Sequence, residues 1–160
     1  MVRIPSAPPT RADLRVAVVR SRFNEEVTGR LAAGAVAAFR EAGIPAAQIL
    51  ELEVPGAIEL AFAADLAIRH LGVHAVACVG AVIRGDTDHY DHVCRIAGDA
   101  IARVALDRQV PVAFGVLTCD DEAQALARAG GADGNKGADA ARTALEMALL
   151  SRATQAHGRS

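Results

Sequence analysis

Four apolar segments rich in β-branched residues are each followed by a segment in which apolar residues recur at helical spacing. The strand-like segments run over residues 15–19, 49–54, 74–83 and 110–118. The third, HAVACVGAVI, is apolar throughout, which is typical of a parallel strand covered on both faces. Because strands that alternate with helices need crossover connections, we expect a parallel sheet with helices on both sides. The pattern predicts an α/β protein, a three-layer α/β/α sandwich with a four-stranded, mostly parallel sheet.

The helical segments and the chain ends divide the sequence into one domain and two flanks. Helices are predicted over about residues 25–42, 58–72, 89–107, 121–129 and 138–153. Glycines at positions 43 and 72 stand where C-terminal caps belong. We expect an N-terminal arm over residues 1–13, a single domain over 14–151 and a polar, frayed tail over 152–160. Pro5, Pro8 and Pro9 exclude a central strand in the arm but permit an edge strand.

Composition excludes several classes of protein. The chain is 52% hydrophobic with a net charge of −2, which is unlike a disordered chain or a general nucleic-acid surface. No apolar run reaches the roughly 18 residues that a membrane span needs, and the N-terminus lacks a signal-peptide core. Alanine contributes 36 residues and aromatics only 3% of the chain. We therefore expect the domain to rely on contacts with neighbouring subunits.

The three cysteines point to a reducing compartment. Cys78, Cys94 and Cys119 are odd in number, widely spaced and without a C-x-x-C pair. A disulfide framework or a cysteine-based zinc site is therefore not expected, and the cytoplasm is the natural setting.

Polar turns follow the four predicted strands, and they are SRFN, VPGAIE, RGDTDHYDH and TCDD. Ligands of open α/β sheets bind beyond the carboxyl ends of the strands, so these turns form the candidate site. In the third turn, Thr87 is either a helix cap or a phosphate ligand. His89 lies at the start of a helix, where a neutral imidazole can relay protons, or it is exposed without a role.

The other turns leave similar alternatives open. Phe23 either staples the start of the first helix or stacks on a planar ligand. For Arg84, one interpretation is a pairing with Asp86 or Asp88 without any further role. Arg128 either complements a helix dipole or binds an anion, and Lys136 either caps the last helix or holds a phosphate.

A metal site is the rival interpretation of the third turn. His89, Asp91 and His92 resemble the H-x-D-H core of binuclear metallohydrolases, which need further histidines from distant loops. The remaining histidines lie beside a helix end or in the tail, so no metal is expected. Walker A, G-x-G-x-x-G and serine-elbow motifs are absent from the sequence.

Five blocks together resemble the 6,7-dimethyl-8-ribityllumazine synthase family. They are SRFNEEVTGRL, VPGAIEL, GAVIRGDTDHYDHVC, FGVLTCDDEAQALARAG and GNKG, in order over about residues 15–150. The resemblance implies a flavodoxin-like sheet and a cofactor-independent transferase of riboflavin biosynthesis. Such an enzyme condenses 5-amino-6-(D-ribitylamino)uracil with 3,4-dihydroxy-2-butanone 4-phosphate and releases phosphate and water.

The resemblance also assigns roles to residues of this chain. His89 would be the catalytic proton donor and shuttle. The phosphate would be held by Asp86 and Thr87, chiefly through backbone N–H groups, and by Arg128, with Lys136 as a further phosphate or structural residue. The pyrimidine and ribityl groups would contact Phe23, Ala57, Ile58, Glu59, Ala81, Val82, Ile83 and, from an adjacent subunit, Phe114.

The resemblance further implies a homo-oligomer. Family members form pentamers, and many assemble twelve pentamers into a hollow shell. Because AGGADGNKG carries no insertion relative to shell-forming members, we expect a 60-subunit capsid, with a pentamer or decamer as the alternatives. A riboflavin synthase is a further candidate partner, and the N-terminal arm is a candidate edge strand for a neighbour's sheet.

The sequence departs from the family pattern at four positions. Asp88 stands where proline or a small residue is common, and His92 where an aromatic is usual. Cys119 and Asp120 replace a threonine-rich stretch. Besides the enzyme and the metallohydrolase, a non-catalytic shell or flavin-binding relative is the third interpretation, which the intact His89 argues against.

Overall fold

A single parallel sheet forms the centre of the molecule. The computed structural model describes residues 1–4 and 13–159 of the chain. The main sheet consists of β1 (Val16–Ser21), β2 (Ile49–Val54), β3 (Ala75–Ile83) and β4 (Val112–Cys119). Its order is β2-β1-β3-β4, and every neighbouring pair is parallel. The predicted four-stranded parallel sheet is confirmed, and its strand order is that of flavodoxin-like folds.

Among the described residues, five α-helices cover the two faces of the sheet. They are α1 (Glu25–Glu41), α2 (Leu60–Leu71), α3 (His89–Arg108), α4 (Glu122–Ala127) and α5 (Lys136–Gly158). Gly43 and Gly72 follow α1 and α2 with φ of 94° and 64°, the left-handed conformation that glycine adopts without steric cost. None of the helices among the described residues is both long and apolar enough to cross a membrane.

Alternation along the strands builds two separate apolar layers. In β1, Val16 and Val18 face the layer of α1 and α5, whereas Ala17 and Val19 face that of α2 and α3. The side chain of Phe39 is fully buried in the first layer. Much of the rest of both layers is alanine, so the helices lie close to the sheet.

The segment predicted as one turn, GGADGNKG, folds as a small hairpin that leads directly into α5. Its strands are β5 (Ala129–Gly131) and β6 (Gly134–Asn135), paired antiparallel. Asn135 accepts a hydrogen bond at Oδ1 from the Ala138 backbone N–H (3.0 Å) and donates from Nδ2 to the Arg30 carbonyl of α1 (3.0 Å). Asn135 therefore caps α5 and attaches it to α1.

The interpretation of Lys136 as a helix cap is wrong. Asn135 holds that position, and Lys136 is the first residue inside the helix. Asparagine accepts a backbone hydrogen bond there, which an ammonium group cannot do.

The last helix is longer than the predicted segment 138–153, because α5 continues to Gly158. No glycine or proline interrupts residues 138–157, and Thr154 donates a hydrogen bond to the Leu150 carbonyl (2.8 Å). Arg152 also pairs with Asp13 (3.0 Å), which ties this end of α5 to the start of the domain. Most of the predicted arm, including all three of its prolines, lies outside the described residues.

Candidate functional site

A cavity of about 320 Å³ opens at the carboxyl ends of β1, β2 and β3. Parallel strands end at one edge of a sheet, so the turns after these strands meet there. Nine residues selected from the sequence line this cavity: Phe23, Ala57, Ile58, Glu59, Ala81, Val82, Ile83, Thr87 and His89.

The turn after β1 presents an aromatic ring to this cavity. Phe23 is 72% exposed, and its backbone N–H donates to the Pro55 carbonyl (3.2 Å). A ring this exposed is not packed as a helix staple, so that alternative is wrong. Asn24 adopts the left-handed conformation (φ 60°, ψ 56°) and donates from Nδ2 to the Ala81 carbonyl of β3 (3.0 Å). Asn24 therefore fixes the turn that carries Phe23.

The turn after β2 forms a second wall of the cavity. Residues 57–59 make a single turn of 3₁₀ helix, and Ala57 is buried while Ile58 is 41% exposed. The Gly56 N–H donates to Glu59 Oε2 (2.9 Å), which holds this carboxylate at the cavity wall. One carboxylate oxygen therefore stays available to a ligand.

The loop after β3 supplies the titratable and hydroxyl groups. Thr87 accepts a hydrogen bond at Oγ1 from the His89 backbone N–H (3.3 Å), so its hydroxyl hydrogen points to another partner. His89 is the exposed first residue of α3. A hydroxyl and an imidazole thus stand together over an apolar floor formed by the end of β3. Asp86 is exposed and lines neither this cavity nor the one described next.

A second cavity, of about 630 Å³, runs along the open edge of β4. It is lined by the other predicted residues, Phe114, Arg128 and Lys136. Phe114 is 46% exposed, which leaves its ring available for contact. Arg128 pairs with Asp133 (3.5 Å) and Lys136 with Asp139 (3.4 Å), both through exposed carboxylates.

The predicted phosphate ligands are therefore divided between the two cavities of one chain. Thr87 lines the cavity at β1–β3, and Arg128 lines the cavity at the β4 edge. Neither of these two cavities is lined by both Thr87 and Arg128.

Arg84 makes a different contact from the one predicted. Its Nε donates to Asp120 Oδ1 (3.0 Å) and its guanidinium lies 4.2 Å from the centre of the Tyr90 ring. The pairing with Asp86 or Asp88 is wrong, because β3 and β4 are neighbours and the turn after β4 comes beside Arg84. Tyr90, which is not among the site residues predicted from the sequence, also lines the first cavity.

The remaining titratable groups give no sign of a second reactive centre. Among the described residues, no three His, Cys, Asp or Glu side chains are grouped so that they could hold a metal ion. Burial raises the pKa of the Cys78 thiol to about 12, and burial also raises the pKa of Cys94 and Cys119. All three cysteines are therefore protonated thiols at neutral pH.

Comparison with known proteins connects the fold and the cavity to one family. The family model described as 6,7-dimethyl-8-ribityllumazine synthase matches residues 13–152. A protein of Coxiella burnetii (strain CbuG_Q212) with that name is 45% identical over 141 residues, which are 88% of this chain and 93% of the relative. A protein of that name from Bdellovibrio bacteriovorus is 46% identical over 84% of this chain and 73% of the relative.

A plant relative is longer than this chain. The chloroplastic protein of that name from Arabidopsis thaliana is 47% identical over 137 residues. The match covers 86% of this chain but 60% of the plant protein.

Proposed function

The chain belongs to the 6,7-dimethyl-8-ribityllumazine synthase family, and from that premise we propose that it is the enzyme that forms 6,7-dimethyl-8-ribityllumazine. The substrates are 5-amino-6-(D-ribitylamino)uracil and 3,4-dihydroxy-2-butanone 4-phosphate, and phosphate and water are released. This is the penultimate step of riboflavin biosynthesis. The observation that carries the proposal is that nine residues selected from the sequence line one cavity.

The pyrimidine substrate fits the apolar part of this cavity. Phe23 is exposed at its mouth and offers a face for stacking on a planar ring. Ala57, Ile58 and Glu59 form one wall, and the held carboxylate of Glu59 is an acceptor for ring N–H or ribityl hydroxyl groups. Ala81, Val82 and Ile83 supply the end of β3 beneath the ring.

The phosphate substrate needs donors from both cavities. Thr87 keeps a free hydroxyl hydrogen, and the loop at residues 85–88 precedes the N-terminus of a 20-residue helix, where an anion is stabilised. Asp86 would contribute its backbone N–H with its carboxylate turned away. Arg128 of a second copy is the cationic partner, and Lys136 lies in the same cavity as Arg128.

His89 is the group that moves protons. The 5-amino group attacks the ketone and water leaves to give an imine. Phosphate is then eliminated, and the ribitylamino nitrogen attacks the remaining carbonyl, so that the ring closes with loss of a second water. Each step transfers at least one proton. Holding the two substrates together supplies up to about 7–11 kcal/mol in favourable cases, and a positioned acid or base adds about 10²–10⁴-fold. His89→Ala should therefore slow the reaction by about 10²–10⁴-fold without abolishing it. None of these steps involves oxidation or reduction, so the proposal includes no cofactor.

The division of the site between two cavities supports a homo-oligomer. We propose pentamers that associate into a shell of 60 copies in the cytoplasm, with riboflavin synthase as a candidate companion, and no nucleic acid or membrane partner. The segment AGGADGNKG, which carries no insertion relative to shell-forming members of the family, includes the β5–β6 hairpin and supports the shell. Sedimentation velocity distinguishes a shell from a pentamer or decamer by mass.

The test of the activity is direct. Purified protein is mixed with both substrates and a chelator, without added metal, and lumazine fluorescence is followed. We expect product well above the spontaneous rate. A background rate from folded, assembled protein would refute the enzyme and favour a binding or shell relative. A metal analysis that finds at least one zinc ion per chain in the purified protein would favour the metallohydrolase interpretation.

A further inference from the structure

The guanidinium of Arg84 lies between three partners at the rim of the cavity. Its Nε donates to Asp120 Oδ1 (3.0 Å), Nη1 is 4.0 Å from Asp91 Oδ1, and Cζ is 4.2 Å from the centre of the Tyr90 ring. The Arg84 backbone N–H also donates to the Cys119 carbonyl (2.8 Å). Both the backbone and the side chain of Arg84 are therefore hydrogen-bonded to residues at the end of β4.

These contacts connect the two ends of the loop that carries Thr87, the proposed phosphate ligand, and His89, the proposed proton-transfer residue. Residue 84 is the first after β3, and Tyr90 and Asp91 lie in the first turn of α3. The side chain of Arg84 therefore joins the two ends of the five-residue segment 85–89. Joining the ends of a loop removes conformations in which its residues point elsewhere. The residues so held are Thr87 and His89.

Asp120 holds the Arg84 guanidinium at the end of β4. It follows β4, the strand that pairs with β3 in register up to Ile83 and Cys119. The guanidinium is planar and presents several donors in a fixed geometry, so it bonds a carboxylate while one face stacks on an aromatic ring. A separate exposed ion pair contributes little, but here the pair is joined to a stacked ring and a second carboxylate.

We propose that Arg84 is a positioning residue for the condensation, and that Asp120 and Tyr90 hold its guanidinium so that Thr87 and His89 face the cavity. This inference rests on the proposed function for its kinetic consequence but not for its structural one. It also gives the departure at Asp120 a role in this chain, because the aspartate is the carboxylate partner of Arg84.

A spectroscopic test is available without any turnover. The chain has one tyrosine and no tryptophan, so its intrinsic emission comes from Tyr90 alone. Removing the guanidinium in Arg84→Ala uncovers a face of the ring, and quenching by acrylamide, which is uncharged, should increase at least twofold. Asp120→Asn should give a smaller increase. Arg103→Ala is the matched control, since it removes an arginine–aspartate pair farther along the same helix.

The kinetic test separates positioning from a general loss of structure. In Arg84→Ala, kcat should fall by about 10- to 100-fold and KM for the butanone phosphate should rise, because small displacements of reacting groups cost this much. The KM for the pyrimidine should stay within twofold, since Phe23 and the 57–59 turn are untouched. Arg84→Lys should recover part of kcat, and adding Asp120→Asn to Arg84→Ala should cause no further loss.

Two results would overturn the proposal. One is unchanged quenching of Tyr90 emission in Arg84→Ala. The other is a lower kcat and a lower thermal midpoint in Arg84→Ala, with both KM values unchanged. That combination would mean that a smaller fraction of the variant is folded and that its folded molecules work normally. If the wild-type chain forms no lumazine, the proposed function fails, while the acrylamide measurement still decides whether Arg84 holds the loop.

Discussion

Replacing Gly137 with alanine should destabilise the fold, because α5 begins in direct contact with the backbone of α1. A Cβ atom at position 137 would lie 2.0 Å from the Leu31 carbonyl oxygen and 2.7 Å from its carbon. Ordinary van der Waals contact begins near 3.4 Å, so the helices would have to separate by more than an ångström. Backbone atoms cannot rotate away as a flexible side chain can.

The magnitude follows from two opposed effects. Overpacking costs about 1–3 kcal/mol, and a backbone contact this short belongs at the upper end or beyond. Alanine in a helix recovers up to about 1 kcal/mol relative to glycine. We expect a net loss of about 2 kcal/mol, which for a chain of this size lowers the thermal midpoint by about 4–8 °C.

The assay is thermal and urea unfolding of Gly137→Ala, monitored by far-UV circular dichroism. Gly158→Ala is the matched control, since it is in the same helix and a Cβ there meets nothing within 4 Å. The control should stay within about 0.5 kcal/mol of the wild type. Equal midpoints for Gly137→Ala and the wild type would refute the close approach of α5 to α1.

Three further predictions concern the turns and the buried groups. Asn24→Ala should lose about 1 kcal/mol more in urea unfolding than Asn24→Gly, because only alanine resists the left-handed conformation; equal losses would contradict this. His74 has a lowered pKa because of burial and the Arg152 cation, and its Nδ1 accepts the Arg15 N–H (3.0 Å). The folded state thus binds a proton less readily than the unfolded state, so the free energy of unfolding should fall as pH drops below about 6.5 and through the lowered pKa. His74→Gln should remove this part of the pH dependence, and an identical pH profile would refute the assignment. Cys78, with its pKa near 12, should resist iodoacetamide at pH 8 until urea unfolds the chain; rapid labelling of the folded protein would contradict its burial.

Periodicity was sufficient to predict the sheet and the main helices. The β-branched strands, and the glycines at 43 and 72, are local signals that the tertiary structure reinforces. The β5–β6 hairpin was not predicted because its strands are only two or three residues long and give no alternation. The C-terminal end of α5 extends past the predicted helix because its polar residues, although they indicate exposure to solvent, do not break a helix.

The location of the first cavity was predictable because strand ends meet at one edge of the sheet, whereas its individual residues were identified through the resemblance to the family. Contacts that depend on strand order were not predictable from the sequence. Arg84 was assigned to Asp86 or Asp88, its sequence neighbours, whereas Asp120 reaches it because β4 lies beside β3. At Asn24 the residue type itself indicates the left-handed conformation, in which asparagine is enriched. The hydrogen bond from its side chain to the Ala81 carbonyl of β3 could not be predicted from the sequence.

The central claim is that one active site combines the His89 cavity of one copy with the Arg128 cavity of another. It is tested most directly by mixing two variants of strongly reduced activity, His89→Ala and Arg128→Ala, through co-expression or joint refolding. Random mixing gives roughly a quarter of the interfaces both wild-type residues. The account predicts lumazine formation near a quarter of the wild-type rate in the mixed assembly. A rate no higher than the mean of the separate variants, in particles shown by mass spectrometry to contain both chains, would contradict it.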